Sequence, residues 1–204
     1  GWMDIHCQGN KLLDTPHIDR LAKQGMRFTS GYAGAPVCSP TRAAMMTGQA
    51  PARIKLTNHA PGHEQDFGPE GAVLLEADNI KNLPLEHITI AERLKKAGYA
   101  TGFVGKWHLS FSGEKGNTGP IEQGLRPEHQ GFEMNVGGCF LGGPPTYFAP
   151  YDIPAMNPAP DGEYLPDCLA NESIAFMRAH REQPFFLAHW PYSVHYPLEA
   201  REKL

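Results

Sequence analysis

Cysteine is scarce in this chain and shows no metal or redox spacing. Cys7, Cys38, Cys139 and Cys168 are the only four among 204 residues. No two of them form a C-x-x-C pair, which excludes the common zinc and dithiol patterns. Cys7, Cys139 and Cys168 read as free or buried thiols rather than a disulfide framework, since free cysteine behaves as a small hydrophobe. Runs of lysine and arginine are also missing, and the formal net charge is −4. Neither nucleic acid nor an anionic membrane surface is therefore expected as a partner. No apolar stretch approaches the length of a membrane span, and there is no internal repeat. Gly1-Trp2-Met3-Asp4 reads as the interior of a domain rather than a targeting sequence. What remains is a chain long enough for one α/β domain with a real core.

The expected organisation follows from capping and periodicity. Thr15 caps and Pro16 opens a helix over His17 to Gln24, stopped by Gly25, with a short strand predicted over Met26 to Ser30. From Thr57 to Pro84 neither helical nor strand period holds, and a loop of that length is usually functional; it reads as a substrate-facing insertion. Thr89 to Lys96 is an amphipathic helix, with Ile90, Leu94 and Ala97 on one face. Tyr99 to Trp107 is a buried strand. Ser110 to Pro160 is a second irregular tract rich in glycine and proline. Pro166 to Arg181 is a helix, and Pro184 to Trp190 a strand. This alternation of helix and strand predicts a parallel-rich sheet covered on both faces.

The most informative stretch is Pro36-Val37-Cys38-Ser39-Pro40-Thr41-Arg42, running on to Gly48. Pro40 suits the first helical position, Ser39 is the expected cap, and Gly48 can end the helix. Cys38 would stand at the helix mouth, facing unpaired N–H groups and the positive end of the dipole. Arg42 lies one turn further along the same face. Nucleophile, guanidinium and N–H groups then share one small space suited to a tetrahedral oxyanion ester. Lys106 and His108 lie at the carboxyl end of a predicted strand, where open α/β sheets bind ligands. Positions two apart share a face, so both can reach one pocket while Trp107 turns aside. His195 follows the last strand in the same way. Any one of these residues alone reads as ordinary, but their joint placement points to a site.

Cys-x-Pro-x-Arg in this setting resembles the signature of the type I sulfatases. Gly98-Tyr99-Ala100-Thr101-Gly102-Phe103-Val104-Gly105-Lys106-Trp107-His108-Leu109 is similar to that family's second signature. Thr15-Pro16-His17-Ile18-Asp19-Arg20-Leu21-Ala22 resembles its first helix, and Val194-His195-Tyr196-Pro197 its later histidine segment. Thr41 stands where many members carry serine.

The resemblance implies an α/β/α sandwich of the alkaline-phosphatase type with a largely parallel central sheet. Residues 1–204 would be the N-terminal part of one catalytic domain, truncated at both ends. The resemblance also implies that a separate formylglycine-generating enzyme or anaerobic maturase oxidises Cys38 to formylglycine. The hydrated aldehyde attacks sulfur, displaces the alcohol, and then expels sulfate. Arg42 would keep the nucleophile ionised, and Lys106 would bind sulfate oxygens. His108 would orient the hydrate or take its second proton. His195 would touch substrate and act as general acid. A calcium ion is implied as Lewis acid, with Cys38 as formylglycine among its ligands. Its carboxylate ligands are expected outside this chain, so the 204 residues alone should bind metal poorly and show little activity.

Pro127-Glu128-His129-Gln130-Gly131-Phe132, Gly137-Gly138 and Pro144-Pro145-Thr146-Tyr147-Phe148 resemble bacterial members that act on sulfated polysaccharides. A sulfated carbohydrate or aryl sulfate is thus the expected substrate, and the periplasm or the exterior the expected location. Phe67, Phe111, Phe140, Tyr147, Phe148 and Tyr151 could stack on sugars or pin their loops to the core. His59 and His63 are further candidates for substrate contact. Three alternatives stay open at this point: a phosphoester or phosphonate hydrolase with the same chemistry, an unmodified cysteine hydrolase, and a sulfated-glycan binder whose cysteine is never converted.

Overall fold

The computed structural model describes residues 2–60, 71, 73–74, 79–111 and 119–202. The chain divides into two compact units, Gly1–Ala33 and Gly34–Leu204.

The first unit holds a 3-10 turn, His6–Gln8, and helix α1, Pro16–Gln24. Thr15 does not cap α1 with its side chain. Its hydroxyl accepts from the His6 amide at 2.9 Å and donates to Asp19 at 3.2 Å. Asp19 also accepts from the Cys7 amide at 2.8 Å, so the first helical turn ties the 3-10 turn down. The strand predicted over Met26 to Ser30 does not form. Met26 and Phe28 are exposed, and no strand among the described residues pairs with this segment.

In the second unit α2 spans Cys38–Thr47 and α3 spans Pro51–Ile54. Next come α4 (Ile90–Lys96), β1 (Ala100–Gly105), α5 (Pro120–Gln123), β2 (Met134–Val136), α6 (Leu165–Ala179) and β3 (Phe185–Trp190). The three strands form one parallel sheet in the order β2-β1-β3, with Val104 opposite Val136 and Gly105 opposite Trp190. Alternation along β1 sends Phe103 to one face and Val104 to the other. Phe103 joins Ala43, Met46, Ile54, Ala91, Trp107 and Phe132, so α2, α3 and α4 cover that face. Val104 joins Val136, Leu165 and Leu169, so α6 covers the opposite one. This is the α/β/α arrangement expected.

Several boundaries differ from the sequence reading, each for a local reason. α4 is closed by a capping box between Thr89 and Glu92, but it buries Ala91 whereas Ile90 is 40% exposed. The helix is short, and the close approach to β1 selects its small residue. β1 stops at Gly105, two residues before Trp107, because Gly105 turns with φ 109°. The tract over Ser110 to Pro160 is not wholly irregular: it contains β2, only three residues long and so without a readable period. α6 begins and ends slightly earlier than expected. The reading of Thr57 to Pro84 as an insertion falls mostly outside the described residues, as do His63 and Phe67. Phe111, Tyr147 and Tyr151 are at most 5% exposed and pin their loops to the interior. Among the described residues no helix is long and apolar enough to cross a membrane.

Helix α6 approaches β1 so closely that a Cβ on Gly102 would lie 2.8 Å from the Phe176 ring. In the intact protein Gly102→Ala should therefore cost about 1–3 kcal/mol through overpacking. Chemical unfolding measures the loss, and Phe176→Leu should recover part of it in the double variant.

Candidate active site

Cys38 is the first residue of α2, so its side chain leaves the backbone where the helix offers unpaired N–H groups. The helix starts there and not at Pro40, because Val37 takes the cap position and Ser39 is drawn into another task. The buried Ser39 hydroxyl donates to the His108 carbonyl at 2.9 Å and accepts from the Ala60 amide at 2.8 Å. Arg42 follows one turn later. Its guanidinium donates to the Lys106 carbonyl, and its Cζ lies 4.9 Å from the centre of the Trp190 ring. Lys106 is 3% exposed, and its ammonium lies within electrostatic reach of Cys38.

Burial dominates the electrostatics. It lowers the Arg42 guanidinium to about 10, against opposing contributions from Cys38 and Tyr192. It lowers the Lys106 ammonium to about 8, with Arg42 adding to the effect and Cys38 opposing it. Neither cation forms an ion pair among the described residues. Two adjacent cations, Lys106 buried and Arg42 partly buried, without a carboxylate partner among the described residues favour a small anion, which would offset their desolvation cost.

His108 itself takes a left-handed backbone conformation (φ 58°), and its placement does not follow strand alternation, since β1 has already ended. Its Nε2 lies 2.7 Å from the Ala60 carbonyl, which can only accept; Nε2 therefore carries the proton and Nδ1 a lone pair. That Nδ1 is buried and has no hydrogen-bond partner among the described residues. Burial, reinforced by the charge of Lys106, lowers the imidazole to about 3 and keeps it neutral. Trp107 does turn aside into the core, fully buried.

Cys38, Arg42, Lys106 and His108 thus lie in contact or within electrostatic reach of one another. His195 joins them less directly. It is exposed, its Nδ1 donates to the Tyr196 carbonyl at 2.8 Å, and its own carbonyl accepts from the Tyr147 hydroxyl at 2.8 Å. A Cβ on Gly143 would lie 2.5 Å from His195 Nδ1, and one on Gly142 would lie 2.7 Å from His108 Cε1. Each of the two consecutive glycines therefore leaves the space that one imidazole occupies. His59 lies within electrostatic reach of His108.

The sulfatase family model matches residues 1–204, the whole chain. The chain belongs to the sulfatase family. Arylsulfatase A of Bos taurus is 32% identical over 227 aligned positions, covering 97% of this chain and 39% of that protein. An N-acetylgalactosamine-6-O-sulfatase of Bacteroides thetaiotaomicron is 41% identical over 115 residues, 56% of this chain and 19% of that protein. Among solved structures, Ps i-CgsB in complex with k-i-k-neocarrahexaose superposes with a TM-score of 0.74 at 27% identity, covering 98% of this chain and 44% of that one. The fold is accordingly that of the sulfatases, the alkaline-phosphatase-like type. Matches to the curated relatives span 17 to 39% of their lengths.

Several residues that build this candidate site carried no signal in the sequence. Trp190 closes a strand and reads as core. Ser39 reads as a cap, and Gly142-Gly143 as loop punctuation. Each is recognised only once the chain is folded. The described residues do not supply a calcium site: among them no group of three His, Cys, Asp or Glu could hold a metal. The side chains around Cys38 are two cations and an imidazole, whereas calcium takes six to eight oxygens. All four cysteines are free.

The His108 assignment is directly testable. Nitrogen NMR of the intact protein should show a neutral imidazole protonated at Nε2 at pH 5, titrating only near pH 3. An imidazolium at pH 6 would contradict the tautomer and the burial that fixes it.

Proposed function

We propose that the intact protein hydrolyses sulfate esters of carbohydrates, using a formylglycine made from Cys38 by a dedicated maturation enzyme. The observation that carries this reading is the pair of partly buried Arg42 and buried Lys106 beside a cysteine at a helix mouth, with no carboxylate among the described residues to neutralise them. Formylglycine supplies, as its hydrate, an oxygen nucleophile toward sulfur. The remaining roles belong to the chain as it stands. Lys106 binds sulfate oxygens and offsets charge as it builds, an electrostatic contribution that usually dominates such catalysis. Arg42 favours the ionised form of the nucleophile. His108, with its proton held on Nε2 by Ala60 and its ring kept neutral by burial, offers Nδ1 as a hydrogen-bond acceptor that orients a hydroxyl of the hydrate. His195, its Nδ1 occupied by Tyr196, has Nε2 to contact substrate and protonate the leaving oxygen.

A sulfated carbohydrate substrate is supported by the Bacteroides relative named for N-acetylgalactosamine 6-O-sulfate and by the neocarrahexaose complex. Calcium is the divalent ion the family resemblance implies; residue 38 would be one ligand, the carboxylates coming from parts of the protein beyond these residues. We derive no step through it. The chain would then be part of one catalytic domain; it spans 39% of the length of bovine arylsulfatase A. Sulfated polymers lie outside cells, which favours a periplasmic or secreted location.

Mass spectrometry of the Cys38 peptide, from the intact protein made in its own host, should show the thiol replaced by an aldehyde or its hydrate. A thiol throughout would overturn the formylglycine mechanism and favour a thiol enzyme, blocked by alkylation, or a glycan binder without turnover. Cys38→Ala should abolish sulfate release. Lys106→Ala should lower kcat/KM by about 10²–10³-fold, the usual effect of removing one donor to developing charge.

A further inference from the structure

Resting on the sulfatase reading, we propose that Trp190 is a positioning residue for Arg42: its indole face fixes the guanidinium against the Lys106 carbonyl and so aims its charge at residue 38.

Arg42 has a long, flexible side chain and no carboxylate partner among the described residues. Its placement depends on two contacts. One is the hydrogen bond to the Lys106 carbonyl; the other is the Trp190 ring, 4.9 Å from its Cζ. A single hydrogen bond leaves a guanidinium free to swing about it, whereas a flat aromatic face beneath removes that freedom. The ring is itself immobilised. Trp190 stacks on Trp107 at 6.3 Å with planes 20° apart, and Phe103 meets both edge-on, at 5.5 and 5.2 Å. Trp107 is fully buried, with its indole N–H donating to the Leu125 carbonyl at 3.1 Å. The backbone of Trp190 is fixed as well, because its carbonyl accepts from the Lys106 amide at 2.7 Å. One residue therefore supports the side chain of one cation and the main chain of the other. Changing the indole alters only the first.

The test uses the intact protein and 4-nitrophenyl sulfate. Trp190→Leu keeps an apolar side chain but removes the aromatic face; kcat should fall about 5- to 30-fold, the range expected for a partly desolvated cation–π contact. Inhibition by inorganic sulfate should stay within about twofold, because the Lys106 ammonium is untouched. Trp190→Phe, which retains a smaller face and guards against misfolding of the leucine variant, should recover most of kcat. In an Arg42→Ala background Trp190→Leu should change kcat by less than about twofold, since the effect acts through Arg42. A folded Trp190→Leu protein with unaltered kcat, or losses that multiply in the double variant, would overturn the proposal. A readout independent of turnover separates it from the functional reading: the Arg42 side-chain N–H protons should show an upfield ring-current shift that Trp190→Leu abolishes. If that shift is present and the unsubstituted protein releases no sulfate, the sulfatase reading fails; if the shift is absent, the contact does.

Discussion

At the carboxyl end of β1 the backbone of Gly105 lies so close to β3 that a Cβ there would sit 2.1 Å from the Trp190 oxygen. Only glycine tolerates both that approach and the local φ of 109°. The strand must end at this point, and the next amide, that of Lys106, turns to bond the same carbonyl. From this junction the rest of the rim follows. Lys106 is delivered beside Cys38, Trp107 drops into the core, and His108 emerges in a left-handed turn with its carbonyl pinned by Ser39. The sheet here does more than support the site, because the residue that ends one strand fixes the start of the next functional segment.

The other governing feature is charge. A buried lysine beside a partly buried arginine is an unfavourable arrangement for a folded chain, since each cation loses hydration and repels its neighbour. A chain selected for stability alone would pair them with carboxylates, as it does elsewhere: buried Glu122 is bridged to Arg126 at 2.6 Å and accepts from Ser110 at 2.7 Å. That neutralised pair lies close in sequence to the site but outside it. The contrast is between an ion pair neutralised within the fold and two cations that have no carboxylate partner among the described residues.

Much of this was legible in the sequence. Helix–strand alternation gave the layered architecture, and glycine marked the ends of α1 and α2 correctly. The spacing of Cys38 and Arg42 on one helix, with Lys106 and His108 past a strand, brought four residues together as expected. The misreadings were tertiary in origin. Ser39 looked like a cap because serine caps are common, but a buried amide at Ala60 and a carbonyl at His108 compete for the same hydroxyl. Two-residue alternation placed Lys106 and His108 on one face for the wrong reason, since no period reveals where a neighbouring carbonyl will terminate a strand. β2 could not be seen at all: three residues with Asn135 in the middle form a strand only because β1 offers them a ladder. Trp190 was hidden by being hydrophobic where hydrophobic residues are expected.

The Gly142-Gly143 pair has a consequence for how such a site can change. A Cβ on Gly142 would lie 2.7 Å from His108 Cε1 and one on Gly143 2.5 Å from His195 Nδ1, and the two Cα atoms are about 3.8 Å apart across one trans peptide. One stretch of bare backbone therefore admits both rings, and a side chain can be added to it only by moving one of the two histidines.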